Sequence, residues 1–257
     1  MHHLTVVDLV PLFITARSYA AASARLRRFQ LDRYVAHVGA TTRPADVDLV
    51  DVLAWWASLD DLAPASRRSA WSAASGFHRW CVDLGIATTN PVAAIRRPPE
   101  AEQAPNALTV DELGRLWRTL PDDGPVRLAV VLAAGVGLRR SEIVGLDAAD
   151  VDRSAEPWTL TVHRKGGRVQ RVPVESAWVR AELASAPIVG PLVPMRADYL
   201  GVVVKRAMRD AGIEGRSLHS LRHFFATNAV RSGRSVREVQ RLLGHRSLEH
   251  TARYLHV

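Results

Sequence analysis

A proline-bearing segment, RRPPEAEQAPNALT from Arg96 to Thr109, divides the sequence into two parts. Its three prolines fix the backbone φ angle and withhold hydrogen-bond donors, and its acidic and amide residues add nothing apolar to a core. The sequence therefore predicts two domains, at residues 1–97 and 109–257, joined by a linker at residues 98–108. A chain of 257 residues is long enough for each domain to bury a core of its own.

Both parts carry an excess of basic residues. The whole chain holds 34 Lys and Arg against 26 Asp and Glu, a formal net charge of +8, and residues 1–99 contribute 11 of the basic and 8 of the acidic residues. This excess favours a polyanionic partner, of which nucleic acid is the commonest.

Several classes of protein are disfavoured by the composition. The single cysteine, Cys81, excludes an intramolecular disulfide and a cysteine-built metal site, and its apolar surroundings predict a buried core thiol. No apolar run approaches the ~18 residues of a membrane span. Asp8 and Pro11 interrupt the apolar start of the chain and no Lys or Arg precedes it, which argues against a signal peptide. We therefore expect a cytoplasmic protein with no membrane partner.

The N-terminal part has a helical pattern throughout. Apolar residues recur at helical spacing over residues 47–59 and again over residues 65–84, which predicts three or four helices. The second of these long helices carries Arg67, Arg68 and Arg79. Two interpretations of these arginines stay open, a face that contacts DNA phosphates and an ordinary solvated face.

The C-terminal part is predicted to be mostly helical with one small antiparallel sheet. Thr109 with Glu112, and Ser235 with Glu238, form capping boxes that open two helices. Two β-rich runs flank Gly166-Gly167, a favourable pair for a tight hairpin turn. The predicted elements are helices at residues 125–134, from residue 141 and from residue 197 almost to the end, with one closing at Gly244, and strands at residues 158–163 and 169–174.

Four segments of this part carry candidate chemical groups. GVGLRRSE places Arg139 at the start of a helix, where backbone N–H groups and a guanidinium suit an anion. The hairpin tip carries Lys165, which is either a solvated turn residue or a general acid. The other two segments are LHSLRHFFATNAVRSG, with His219 and Arg222 on one helix face, and LLGHRSLEHTARYLHV, with His245 and Tyr254.

The sequence offers one candidate metal site. His219 and His223 are four residues apart on a predicted helix and could hold zinc, but Ser220 stands where the HExxH motif has its general-base glutamate. The sequence therefore disfavours a metal.

Taken together, GLRRSE, the KGGR hairpin, HSLRH, LLGH and a tyrosine nine residues after the last histidine resemble the tyrosine recombinase (phage integrase) family. The resemblance covers the chain from Thr109 to the end, with the motifs in the family's order. The segment RRSAWSAASGFHRWCVDLGIATTNPVAAIRRPP is similar to the end of that family's core DNA-binding domain and its linker. The chain length fits a compact Xer-like or simple phage integrase better than a large lambda-like one.

The resemblance implies a fold, an activity and a set of site residues. It implies an N-terminal helical core DNA-binding bundle at residues 1–97 and a mostly helical catalytic domain at residues 109–257, which together clamp duplex DNA. Tyr254 is the implied nucleophile, which forms a 3′-phosphotyrosyl link and needs no cofactor or metal. The implied roles of the others are phosphate clamping by Arg139 and Arg222, leaving-group protonation by Lys165, proton transfer at the tyrosine by His219 and phosphate hydrogen bonding by His245.

The implied partners follow from the same resemblance. They are double-stranded DNA and three further protomers, identical or different, in a tetramer that forms on DNA from monomers, with an accessory protein as an option. Two other functions stay open, a type IB topoisomerase and a catalytically inactive DNA-binding relative. Expected DNA contacts, in addition to the catalytic set, are Arg67, Arg68, Arg79 and Arg164.

Overall fold

The computed structural model describes residues 4–99, 106–164 and 166–244. The chain divides into two compact units, the N-terminal unit Met1–Glu102 and the C-terminal unit Gln103–Val257. The division falls inside the segment that the sequence predicts as a linker.

The described part of the N-terminal unit is helical. It contains α1 (Val6–Ala16), α2 (Ala21–Val38), α3 (Leu49–Ala57), α4 (Pro64–Asp83) and a short 3₁₀ turn (Pro91–Ala94). Capping boxes open α1 and α3, and a proline opens α4, where its missing N–H is no loss.

Aromatic side chains fill the core of this unit. Tyr34 and Trp55 meet edge to face with ring centroids 4.9 Å apart, and the Tyr34 hydroxyl lies 2.7 Å from Nε2 of the buried His78. Cys81 is buried among them, which confirms the predicted core thiol. The 3₁₀ turn is fastened to α4 because the indole N–H of Trp71 donates to the carbonyl of Ile95 at 3.0 Å.

The helices of the C-terminal unit surround one buried helix. That helix, Pro125–Gly135, is buried along residues 128–134 and packs against the helices at 177–184 and 218–231. The helices in the described residues are α5 (Val110–Thr119), α6 (Pro125–Gly135), α7 (Arg140–Ile143), α8 (Ala177–Ala184), α9 (Ala197–Asp210), α10 (Leu218–Arg231) and α11 (Val236–Leu243).

A three-stranded antiparallel sheet lies between α7 and α8 in the sequence. Its strands are β1 (Val151–Asp152), β2 (Trp158–Arg164) and β3 (Arg168–Val174), hydrogen-bonded in that order. The β2–β3 hairpin pairs Val162 with Gln170 and Arg164 with Arg168, and Gly166 and Gly167 both have positive φ at its tip. Glycine adopts this conformation at little cost, so the glycine pair suits the hairpin tip.

The structure confirms the predicted fold class, mostly helical with a small antiparallel sheet. It adds α8 and β1, which the sequence reading did not predict, and it shortens the helix expected after Ser141 to the four residues of α7. In the described residues, no helix is both long and apolar enough to cross a membrane.

Candidate active site

Arg139 and Glu142 are placed by the start of α7. Arg139 is the N-cap residue, and its backbone N–H donates to Oε2 of Glu142 at 2.8 Å while its Nη1 donates to Oε1 at 2.7 Å. Gly137, two residues earlier, has φ +75°, and a Cβ there would overlap the ring of Phe225. The glycine therefore permits both the turn into α7 and close packing against α10.

Glu142 is the centre of a cluster of arginines. Its side chain is 2% exposed, and besides Arg139 it accepts a hydrogen bond from Nη1 of Arg164 at 2.7 Å. Nη1 of Arg222 lies 3.7 Å from the same carboxylate. Burial alone would raise the pKa of Glu142, but the hydrogen bonds from Arg139 and the charge of Arg164 outweigh it, so the pKa is lowered.

The C-terminal end of α11 joins this cluster through its carbonyl groups. Helix ends leave their last carbonyls without intrahelical partners, and here three consecutive carbonyls accept hydrogen bonds from side chains distant in sequence. The donors are Nε2 of Gln170 to Arg241 at 2.8 Å, Nη2 of Arg164 to Leu242 at 2.7 Å, and Nη2 of Arg222 to Leu243 at 2.7 Å. Gly244 ends the helix in the left-handed conformation, as its position after LL predicts.

The cluster has an excess of positive charge. Arg139, Arg164 and Arg222 are always ionised, and they share the single carboxylate of Glu142, which leaves two uncompensated positive charges in this group of four. A phosphodiester, which carries one negative charge, would neutralise part of this excess.

The two arginines predicted to clamp a phosphate differ in exposure. Arg139 is 33% exposed, whereas Arg222 is 1% exposed and also donates from Nη1 to the carbonyl of Gly137 at 2.6 Å. The structure brings the two together through Glu142 and leaves Arg139 as the more accessible.

His219 lies in the first turn of α10 and is exposed, three residues before Arg222 on the same helix. Its ring meets that of the half-buried His223 edge to face, with centroids 4.6 Å apart. In the part of the chain that the structure describes, no group of three or more His, Cys, Asp and Glu side chains is arranged to hold a metal ion.

Three predicted site residues, Lys165, His245 and Tyr254, lie outside the described residues. Two of them directly follow described positions that belong to the cluster. Lys165 follows Arg164 at the end of β2, and His245 follows Gly244 at the end of α11.

The predicted DNA-contacting arginines of α4 have different settings. Arg67 pairs with Asp60 at 2.8 Å and lies over the ring of Trp56, and Arg68 donates to the carbonyl of Pro98 at 2.7 Å. Arg79 is exposed. The first two have roles within the unit, and Arg79 is the most accessible to a ligand.

Arg164, the fourth expected DNA contact, is buried within the arginine cluster. Its side chain is 2% exposed, and Glu142, Gln170 and the carbonyl of Leu242 accept its hydrogen bonds. A contact between Arg164 and DNA stays a prediction, and what the structure describes is its role within the cluster. The alternation along β2 turns Arg164 to the buried side with Leu160 and Val162, although it is close to the hairpin tip.

Glu142 is the site residue that sequence reasoning did not identify. The segment GLRRSE contains a local signal, because its glutamate lies three positions after the N-cap residue. A capping box has its acidic or amide side chain at this position. Its contacts with Arg164 and Arg222 are 22 and 80 residues away in sequence and depend on the tertiary fold.

Comparison with known proteins finds a matching family model and relatives that cover most of the chain. The phage integrase family model matches residues 191–257. Over most of its length the chain is similar to tyrosine recombinase XerD of Mycobacterium tuberculosis. The alignment is 275 positions long with 33% identity, and it covers 93% of this chain and 88% of that protein.

Solved structures show the same fold. The structure is similar to that of a lambda integrase dimer bound to a COC′ core site, with a TM-score of 0.81, 19% identity and 95% of each chain covered. It is also similar to a lambda integrase tetramer bound to a Holliday junction, with a TM-score of 0.78, 20% identity, and coverage of 94% of this chain and 76% of that one.

Proposed function

Because this chain belongs to the tyrosine recombinases and is a site-specific DNA recombinase, we propose that Tyr254 is its nucleophile. The phenolic oxygen attacks a DNA phosphorus atom, a bond from that oxygen to phosphorus forms, and the bond from phosphorus to the 5′ oxygen breaks. The product is a 3′-phosphotyrosyl link and a free 5′-hydroxyl. The covalent link conserves the phosphodiester bond energy for rejoining, so the reaction needs no nucleotide cofactor.

The arginine cluster is the observation that supports this proposal best. Attack at phosphorus places negative charge on the non-bridging oxygens, and guanidinium groups stabilise that charge when they are already oriented. Glu142 orients Arg139 with two hydrogen bonds and lies 3.7 Å from Arg222. We assign these two arginines to the phosphate, with Glu142 as a positioning residue.

Three further residues complete the proposed site. Lys165 gives a proton to the departing 5′ oxygen, since a lysine near other cations can lose a proton where an arginine cannot. His219 assists removal of the proton from Tyr254. His245 hydrogen-bonds the phosphate.

The proposed substrate is double-stranded DNA, bound by a core DNA-binding domain at residues 1–97 and a catalytic domain at residues 109–257. The lambda integrase structures of the same fold are a dimer on a core site and a tetramer on a Holliday junction. We propose that this chain also forms a tetramer on DNA, from protomers that are monomers in solution, and acts in the cytoplasm. The tasks that fit are DNA integration, excision and chromosome-dimer resolution.

Trapping of the covalent intermediate tests the proposal. In a nicked duplex from the protein's own locus, cleavage releases a short strand that carries the free 5′-hydroxyl. Because this strand dissociates, rejoining stops and the covalent adduct accumulates. We expect an adduct with the wild type without added metal, and none with Tyr254→Phe, which should bind the duplex normally because only a hydroxyl is lost.

A matched control is available in the same unit. Tyr199 is exposed on α9, and Tyr199→Phe should form the adduct as the wild type does. An adduct that persists in Tyr254→Phe, or that disappears in Tyr199→Phe, would contradict the assignment. Arg139→Ala should lower the cleavage rate by about 10²–10³, the usual effect of removing one group that stabilises an oxyanion.

A further inference from the structure

We propose that Arg164 is a positioning residue for the general acid of this site, and that it acts by fixing the β2–β3 hairpin to α7 and α11. The side chain of Arg164 is buried and donates hydrogen bonds to residues of α7, β3 and α11. The inference depends on the proposed function in one respect, that Lys165 protonates the departing 5′ oxygen.

Arg164 makes side-chain hydrogen bonds to three separate elements, α7, α11 and β3. Nη1 donates to Glu142 at 2.7 Å and Nη2 donates to the carbonyl of Leu242 at 2.7 Å, while Nε donates to Oε1 of Gln170 across the hairpin at 3.2 Å. The planar fork of a guanidinium makes such divergent bonds at once, and a lysine ammonium cannot reproduce them.

Gln170 is the second contact between the hairpin and α11. It accepts from Arg164 and, through Nε2, donates to the carbonyl of Arg241 at 2.8 Å. Two adjacent carbonyls at the end of α11 are therefore bonded to two residues of one hairpin. Cations near a helix C-terminus are also favoured by the helix dipole, so the position suits an arginine.

Beyond Leu160, where β1 no longer pairs with β2, the hairpin is a two-stranded ribbon. Such a ribbon has little stability of its own, and its tip here contains two glycines of positive φ. A side chain carried by such a tip is held in place only if the ribbon is anchored nearby. Arg164 is the residue immediately before Lys165 and makes that anchor to Glu142, which also orients Arg139. A misplacement of about 1 Å at a reacting group costs about 10²-fold in rate.

The geometry therefore predicts a specific defect. Arg164→Lys should slow cleavage at saturating DNA by about 10- to 100-fold. It should change the Kd for DNA by no more than about twofold, because Arg164 already donates its hydrogen bonds to Glu142, Gln170 and the carbonyl of Leu242 within the protein. The defect should lie in protonation of the leaving group.

A substrate with sulfur in place of the bridging 5′ oxygen separates this defect from a general one. When the bond from phosphorus to sulfur breaks, the thiolate leaves without taking up a proton, since thiols ionise far more readily than alcohols. Single-turnover cleavage of this phosphorothiolate duplex by Arg164→Lys should proceed within about twofold of the wild-type rate. A loss of fold or of the phosphate clamp would slow both substrates.

Arg153 provides the matched control. Its Nη2 donates to the carbonyl of Leu183, the second-last residue of α8, at 3.1 Å. Arg153→Lys therefore removes the same kind of bond, from a guanidinium to a helix C-terminal carbonyl, in the same unit. Arg153→Lys should cleave both substrates at the wild-type rate.

Lys165→Ala separates failure of this inference from failure of the proposed function. If the sulfur substrate does not restore cleavage by Lys165→Ala, Lys165 is not the acid and the proposed function is wrong on this point. If it restores Lys165→Ala but not Arg164→Lys, or if Arg164→Lys cleaves ordinary DNA at the wild-type rate, the positioning role is wrong. Should Arg164→Lys not fold, Gln170→Leu is the test, with the same pattern expected and a smaller defect.

Discussion

Replacement of Glu142 by glutamine removes the negative charge that three guanidinium groups share while it keeps the size of the side chain. Oε1 and Oε2 accept from Arg139 and Arg164 at 2.7 Å, and Arg222 lies 3.7 Å away. Three positive charges then face one another in a site where Glu142 and Arg164 are each 2% exposed. We predict that Glu142→Gln destabilises the C-terminal unit strongly.

The expected magnitude follows from burial. Removing one partner of a buried ion pair costs about 3–5 kcal/mol, because the remaining charge is left without compensation. Glu182 gives a contrast in the same unit. It makes one ion pair, to Arg127 at 3.1 Å, and its side chain is 18% exposed. Glu182→Gln should cost about 1 kcal/mol.

Amide hydrogen exchange of α6 measures the difference, since this buried helix reports on the C-terminal unit separately from the N-terminal one. A loss of about 3 kcal/mol corresponds to roughly a hundredfold loss of protection. If Glu142→Gln and Glu182→Gln lower the protection of α6 equally, the carboxylate does not organise the cluster.

The pH dependence gives the same prediction a second readout. The folded-state pKa of Glu142 is below its ordinary value, so the stabilisation that it provides is present above the unfolded pKa, about 4.3. It is lost as the pH falls through the folded pKa. The stability difference between wild type and Glu142→Gln should therefore be largest near neutral pH and shrink in strong acid.

Three other predictions concern positions outside this cluster or at its edge. Gly137→Ala should destabilise the C-terminal unit by about 2–4 kcal/mol in urea unfolding, because the added Cβ overlaps Phe225. Gly212 also has a positive φ, +69°, but has open space where a Cβ would lie, so Gly212→Ala should cost about 1 kcal/mol. Equal losses of stability in the two variants would contradict the packing argument. Burial lowers the pKa of His78 from 6.5 to about 4, so the unfolded chain gains a proton first as the pH falls, and the N-terminal unit should lose about 3 kcal/mol between these values. His78→Gln should flatten that slope, and an unchanged slope would show that another group causes it. Arg79→Ala should weaken DNA binding and reduce the slope of log Kd against log salt by about one, as loss of one phosphate contact does; an unchanged slope would place Arg79 away from DNA.

Local patterns in the sequence were sufficient for much of the fold. The glycine pair between two alternating runs predicted the β2–β3 hairpin, and the Ser235–Glu238 box with Gly244 predicted both ends of α11. The strand β1 has two residues and α8 has eight, so neither is long enough to show a clear period, and both were missed.

The site was harder to predict because its residues come from distant parts of the chain. A sequence motif identified Arg139 and Arg222, but Glu142 joins them to β2 and α11 only in the folded unit. Arg164 shows the same limit. The period-two pattern through Leu160 and Val162 places it on the buried face, yet a buried arginine needs partners that only the tertiary structure supplies.

Identification of the residue that carries the DNA is the most direct test of the proposed tyrosine mechanism. The nicked duplex is incubated with the wild type, the adduct is digested with nuclease and protease, and the modified peptide is sequenced by mass spectrometry. We expect a nucleotide attached through its 3′ phosphate to Tyr254, with a 5′-hydroxyl on the released strand. Attachment to one of the other three tyrosines, or through a 5′ phosphate, would contradict it.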